Sequence, residues 1–254
     1  AKALGALYRY SKTRARNIGE PKRFGDLMKD KAGAVLEQAK AKANAFLASD
    51  QVYNLLSAYG IPVAPWQLAG NVSGAVQAAE AIGFPVVLKA ESASVVHKSD
   101  VGGVAVNLKN AAEVTAAAEK MKASIKADDL KFLVQKFLPG GKELIAGVSS
   151  KAGLGHLVMF GLGGIYVEVM KDVVFKIAPV TELEATEMLG AVKASKILDG
   201  VRGEKGINKQ KTIEVIQRIS ALVSDFPEIL EMDLNPVIAV NDEVYVADAR
   251  IKIR

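Results

Sequence analysis

The sequence predicts an α/β lobe followed by an α+β lobe rich in antiparallel strands. Three observations carry this. Between residues 61 and 137, short β-branched runs such as Pro85–Lys89 alternate with helical stretches such as the alanine-rich Ala111–Ile125, the pattern of a sheet covered by helices. From residue 143 the texture changes to consecutive strands joined by glycine-rich turns, which favours antiparallel neighbours. The chain closes on two apolar runs, Ile229–Val240 and Glu243–Arg250, joined at Asn241-Asp242, a dipeptide that suits a tight hairpin.

Leu4–Arg16 reads as an amphipathic helix with Leu4, Leu7 and Tyr8 on one face. Asn17–Asp26, with glycine, proline and charge, reads as a linker. This opening looks like the tail of an upstream unit, and alanine at position 1 suits a fragment or a processed product. Ala34–Phe46 and Asp50–Tyr59 are expected helices, with Gly60 as the C′ residue of the second. Ile61–Leu68 is a short strand whose prolines mark an edge or a start. Ser73–Ile82 is a helix stopped by Gly83. Pro85–Lys89 is a strand fit for burial, followed by strand Gly102–Leu108, helix Ala111–Ile125 and strand Lys131–Phe137.

In the second half, Glu143–Ser149, His156–Gly161 and Val173–Pro179 are three strands. Thr181 caps helix Thr181–Leu189, and Glu184 completes a capping box. Asn208–Ser224 is a longer helix. Pro236 puts the strand Ile229–Val240 at an edge or ends it there. These spans divide the chain into a tail and linker (1–28), a first lobe (29–137) and a second lobe (138–254).

Composition narrows the function. At 254 residues the chain can hold two cores. Its 50% hydrophobic and 24% charged content is that of a soluble globular protein. No apolar run reaches the ~20 residues of a membrane span, and no signal peptide is visible. Zero cysteines exclude disulfides, iron–sulfur clusters, thiolate zinc and cysteine nucleophiles, and suit a cytoplasmic protein. Two histidines, His97 and His156, argue against a histidine-rich metal site. Much of the +5 net charge lies in the first 31 residues. We read it as a solvated helix and linker rather than a nucleic-acid surface, because few aromatics offer a stacking platform.

Four segments carry candidate chemistry. Lys89 ends the run Val86-Val87-Leu88-Lys89, where an ammonium can reach a cleft and neutralise a phosphate, or simply snorkel outward. In His97-Lys98-Ser99-Asp100-Val101-Gly102-Gly103-Val104, the two glycines let backbone N–H groups approach a phosphate. His97 beside them is an ordinary loop histidine, an acid/base or a phosphoryl acceptor. Gly161-Leu162-Gly163-Gly164-Ile165 is either a turn or an anion nest. The most specific segment pairs Glu231-Met232-Asp233-Leu234-Asn235-Pro236-Val237 with Val246-Ala247-Asp248-Ala249-Arg250. Polar oxygens inside apolar strands need partners, and Mg²⁺ shared with substrate phosphates is a natural one. A hairpin brings Asn235 and Asp248 together across the ladder.

In this order the segments resemble the ATP-grasp family, two lobes gripping ATP. In particular they resemble the ATP-grasp part of ADP-forming acyl-CoA (acetyl-CoA) synthetases, relatives of succinyl-CoA synthetase. The resemblance runs from about Phe46 to the C-terminus and rests on His97–Val104, Gly161–Lys171 and Glu231–Val237. It implies that Lys89 and the Gly102-Gly103 loop contact the nucleotide phosphates. Gln135 to Leu138 would form the hinge whose backbone reads adenine, and Glu143 would bind or adjoin the ribose. Asn235 and Asp248 would hold Mg²⁺. Succinyl-CoA synthetases carry glutamate where Gln135 stands, which shifts adenine recognition towards backbone groups.

The resemblance further implies a phosphohistidine relay with His97 as transient acceptor, in the reaction acyl-CoA + ADP + phosphate ⇌ acid + CoA + ATP. No Gly-x-Gly-x-x-Gly fingerprint stands at a strand–helix junction, so CoA chemistry would fall to a CoA-ligase domain or subunit, upstream or separate. His156 matches no motif and reads as structural. Two other readings stay open: an ATP-grasp carboxylate ligase that forms an acyl phosphate without phosphohistidine, and a nucleotide-binding module without turnover.

Overall fold

Both halves of the alternation fold into antiparallel sheets, each with an apolar core. The computed structural model describes residues 5, 16–41, 46–92, 102–164, 172–200, 203 and 205–254. The expected helix Leu4–Arg16 and the residue His97 lie outside the described residues, apart from Gly5 and Arg16.

The first sheet has the order β1-β4-β2-β3, from β1 (Trp66–Ala69), β2 (Val86–Glu91), β3 (Val104–Leu108) and β4 (Lys131–Lys136). Alternation sorts its faces. Val86, Leu88, Ala90, Phe132 and Val134 form one core with helices α3 (Val72–Ile82) and α4 (Ala111–Ser124). Val87, Lys89 and Gln135 point the other way, into a cleft. Asn71 and Asn110 cap α3 and α4 by accepting from the N–H groups of Gly74 and Glu113, each cap contributing ~1 kcal/mol.

The second sheet runs β10-β8-β5-β6-β7, with β9 also on β8. Its strands are β5 (Lys142–Lys151), β6 (Gly155–Leu162), β7 (Val173–Ile177), β8 (Ile229–Val240), β9 (Glu243–Val246) and β10 (Ala249–Ile253). Helices α5 (Glu182–Ala191) and α6 (Lys209–Asp225) cover one face. The expected capping box is present: Thr181 accepts from Glu184 N–H while the Glu184 carboxylate takes Thr181 N–H. Asn241 and Asp242 have φ of 50° and 66°, the two positive values that a type I′ turn requires.

Three features differ from the sequence reading. Helices α1 (Lys29–Ala41) and α2 (Ser49–Ala58) share the core of the second sheet rather than that of the first, and Leu47 N–H donates to Ile251 O at 3.0 Å. The expected last strand Glu243–Arg250 is two strands, broken at Ala247-Asp248. Strand β8 is central, between β5 and the β9–β10 line, so Pro236 is not at an edge. Both neighbours yield to the proline: β5 shifts register between Leu144 and Ala146, and on the other side the strand is interrupted. No ladder bond is therefore demanded of the missing N–H.

The linker is pinned from below. Arg218 of α6, 8% exposed, donates to Asp26 at 2.9 Å and to Tyr59 O at 2.9 Å, and lies 4.2 Å from the Phe24 ring centroid. Charge and stacking together hold the chain where it enters α1.

Candidate functional site

A cleft of about 1410 Å³ separates the two sheets. From the first sheet, Lys89 reaches across it. The register sets it beside Leu133 and Val104, and its Nζ donates to Asp248 Oδ1 at 2.9 Å and to Ala247 O at 2.8 Å. Lys89 is nearly buried while the Asp248 side chain is half exposed. The ammonium is thus held by the opposite wall, and the carboxylate stays half open to a ligand.

The interruption between β9 and β10 shapes the other wall. Asn235 N–H donates to Asp248 O at 3.1 Å, and Ala247 N–H to Pro236 O at 3.0 Å. These bonds bring Asn235 and Asp248 to the same patch of the cleft. Their side chains offer an amide and a carboxylate oxygen, the hard donors that Mg²⁺ accepts. Among the described residues no cluster of three or more His, Cys, Asp or Glu side chains forms a metal site. A two-oxygen set fits a cation that completes its shell with phosphates and water. The Lys89 ammonium already pairs with the Asp248 carboxylate here.

The far end of the cleft is lined by Phe137, Leu138, Gly140, Gly141, Glu143 and Ile238. A Cβ on Gly141 would lie 2.3 Å from Ile238 Cγ2, and one on Gly163 would lie 3.1 Å from the Glu143 backbone. These glycines let the backbone close around Glu143. The described part of the glycine run 161–164 therefore acts first by close packing. Gln135 is 1% exposed, lines the cleft, and its amide nitrogen has no hydrogen-bond partner among the described residues. A buried donor without a partner costs ~1–3 kcal/mol.

The structure thus brings Lys89, Gln135, Leu138, Glu143, Asn235 and Asp248 to one cleft. Gly102 and Gly103 stand just before β3. Gly103 O accepts from Ala90 N–H at 2.7 Å, and neither glycine is part of the cleft lining, although Val104 is. His156 is buried, and its Nε2 meets Ile229 O at 2.8 Å.

Sequence reasoning missed three residues. Tyr53 of α2 is buried, and its hydroxyl donates to Ala247 O at 3.3 Å, the carbonyl that also takes Lys89. Burial, then the carboxylates of Asp248 and Glu91, push its phenol pKa upward, so it remains a donor. Asp233 stands on β8 directly across from Arg250. Burial first and Asp248 second raise its carboxyl pKa, against the opposing pull of Arg250. Arg250 lines the cleft two residues past Asp248. The available signal was Asp233 two residues before Asn235, since i and i+2 share a strand face, and an arginine two residues past Asp248.

Residues 38–253 match the sequence model of the ATP-grasp domain. The chain belongs to the ATP-grasp family. A 4-hydroxybutyrate–CoA ligase [ADP-forming] of Nitrosopumilus maritimus is 44% identical over 94% of this chain, which spans only 35% of that protein. The acetate–CoA ligase [ADP-forming] I subunit beta of Pyrococcus furiosus is 40% identical over 87% of this ATP-grasp chain and 97% of its own length. Among solved structures, the dinucleotide forming acetyl-coenzyme A synthetase 1 of Ca. Korarchaeum cryptofilum superposes with a TM-score of 0.80 and 41% identity, covering 88% of this chain and 100% of that one. It was solved in complex with coenzyme A and Mg-AMPPCP, with its phosphohistidine segment pointing towards the nucleotide binding site.

Proposed function

We propose that this chain is the nucleotide half of an ADP-forming acyl-CoA synthetase. It would work with a CoA-ligase part, fused or separate, in the cytoplasm where nucleotide and CoA are held. The observation that carries this is the meeting of Lys89 from one sheet with Asp248 and Asn235 from the other in a single cleft. Support comes from a free-standing beta subunit of such an enzyme that aligns over nearly its whole length.

In this reading ATP lies along the cleft. The base sits against the hinge at Gln135–Leu138, the ribose near Glu143, and the phosphates between Lys89 and the Asn235–Asp248 pair. Lys89 exchanges Asp248 for a phosphate oxygen, which frees the carboxylate for Mg²⁺. The metal, when bound, neutralises charge on the phosphates. The Gly102-Gly103 loop approaches the phosphates when closed. A ring nitrogen of neutral His97 attacks the γ-phosphorus with its lone pair. The bond from that phosphorus to the bridging oxygen breaks, ADP leaves with the electron pair, and the other ring nitrogen loses its proton. The phosphoryl group then passes to the CoA-ligase part, where acid and CoA are handled.

The test is incubation with γ-labelled ATP. Acid-labile, base-stable label on the wild type, absent from His97→Ala, is the expected result. Equal label on the variant removes the relay. Nucleotide binding without label, even with a CoA-ligase part supplied, points to a module without turnover.

A further inference from the structure

Arg250 has no task in the reading above, yet its placement is specific. It lies on β10 directly across from Asp233 of β8 and lines the cleft. Along β8 the cleft residues Ile238 and Asn235, and then the ladder partner of Arg250, fall in order. Ile238 faces Glu143 at the hinge end, Asn235 meets Asp248, and Asp233 pairs with Arg250. At ~3.4 Å per residue, Arg250 stands roughly 7 Å beyond the Asn235–Asp248 pair, on the side away from the hinge. A nucleotide with its base at the hinge directs its terminal phosphate to that side.

The guanidinium is also free and held. Its carbon lies 5.3 Å from the Phe46 ring centroid, a stacking distance that restrains the plane without using its N–H groups. Among the described residues it has no hydrogen bond or ion pair. Lys89, by contrast, is committed to the opposite wall. The charge on a transferring phosphoryl group spreads over three equatorial oxygens. A planar fork of five donors matches two of those oxygens at once.

We propose that Arg250 is a catalytic residue, the cation that grips the phosphoryl group on its acceptor side as it leaves ADP. The inference rests on the phosphoryl-transfer reading of the same cleft. The arginine adds no atom to the balance of the step; it stabilises charge that is greatest between donor and acceptor. The flanking Lys252 also faces Phe46, at 5.8 Å, but is not part of the cleft lining and supplies a matched control.

The test compares wild type, Arg250→Ala, Arg250→Lys and Lys252→Ala in two measurements: equilibrium binding of Mg-AMPPCP, and single-turnover transfer of label from γ-labelled ATP. Arg250→Ala is expected to bind the analogue within about 3-fold of wild type and to transfer label about 10²-fold more slowly. Added guanidinium ion should restore part of the rate. Arg250→Lys should fall between, and Lys252→Ala should match wild type. Transfer by Arg250→Ala within 3-fold of wild type overturns the assignment, as does an equal loss of binding and transfer. A wild type that binds the analogue but transfers no label removes the phosphoryl-transfer reading itself, and this assignment with it.

Discussion

The Lys89 ammonium lies 2.9 Å from the Asp248 carboxylate, and this contact joins the two sheets across the cleft. In the proposed function both groups take a second partner once a nucleotide arrives. Lys89→Met should therefore weaken binding of a Mg-ATP analogue by about 10–100-fold, the range of one or two charge-assisted hydrogen bonds. Calorimetric titration measures it directly. Binding within 2-fold of wild type would remove Lys89 from the phosphate site.

In the proposed reading Asp248 carries the metal-dependent part of that affinity. In wild type, analogue binding in Mg²⁺ should exceed binding in chelator by at least about 10-fold, or ~1.4 kcal/mol. In Asp248→Asn the ratio should fall towards one, with binding in chelator little changed. A ratio that survives the substitution places the metal elsewhere.

Two glycines separate packing from backbone conformation. A Cβ on Gly161 would sit 2.6 Å from Asp172 O, so Gly161→Ala should destabilise the fold by ~1–3 kcal/mol through overpacking. Gly153, at φ +77°, has nothing within 4 Å of an added Cβ. Its alanine variant should lose only the ~1–2 kcal/mol of left-handed backbone. Urea denaturation ranks them; the reverse order would show that the β6–β7 approach relaxes readily.

The linker clasp has a pH signature. The Arg218 hydrogen bond holds the Asp26 carboxyl below the ordinary aspartate range. A folded-state value depressed below the unfolded one stabilises the fold above the unfolded value. That contribution is lost as pH falls through the folded value. Stability should therefore drop more steeply below about pH 4 in wild type than in Asp26→Asn. Parallel acid limbs would mean that Asp26 contributes nothing to the clasp.

Much of this was legible because the signals are local. Thr181 with Glu184 specifies a helix start within four residues, and Asn241-Asp242 specifies its turn through two positive φ angles. Lys89, Asn235 and Asp248 stand in segments singled out by their residues, Gln135, Leu138 and Glu143 came from the family resemblance, and all six line one cleft. What was not legible depends on partners distant in sequence. The apolar faces of α1 and α2 announce burial but not which sheet buries them. Pro236 breaks the rule for central strands only because β5 and the β9–β10 line both give way beside it. Tyr53 looked like any core aromatic, since only the fold brings its hydroxyl to Ala247 O.

The allocation of α1 and α2 to the second sheet reaches into how the chain is made. Helices α1 and α2 complete their packing only with β10: Leu47 meets Ile251 roughly 200 residues later, a closure of high contact order. The first sheet and its helices, residues 66–136, draw on neighbours close in sequence and can condense meanwhile. Loss of residues 250–254 would strip β10 of most of its length and leave α1 and α2 without a seat. Strand β10 is thus the clasp that completes the fold as well as a wall of the cleft.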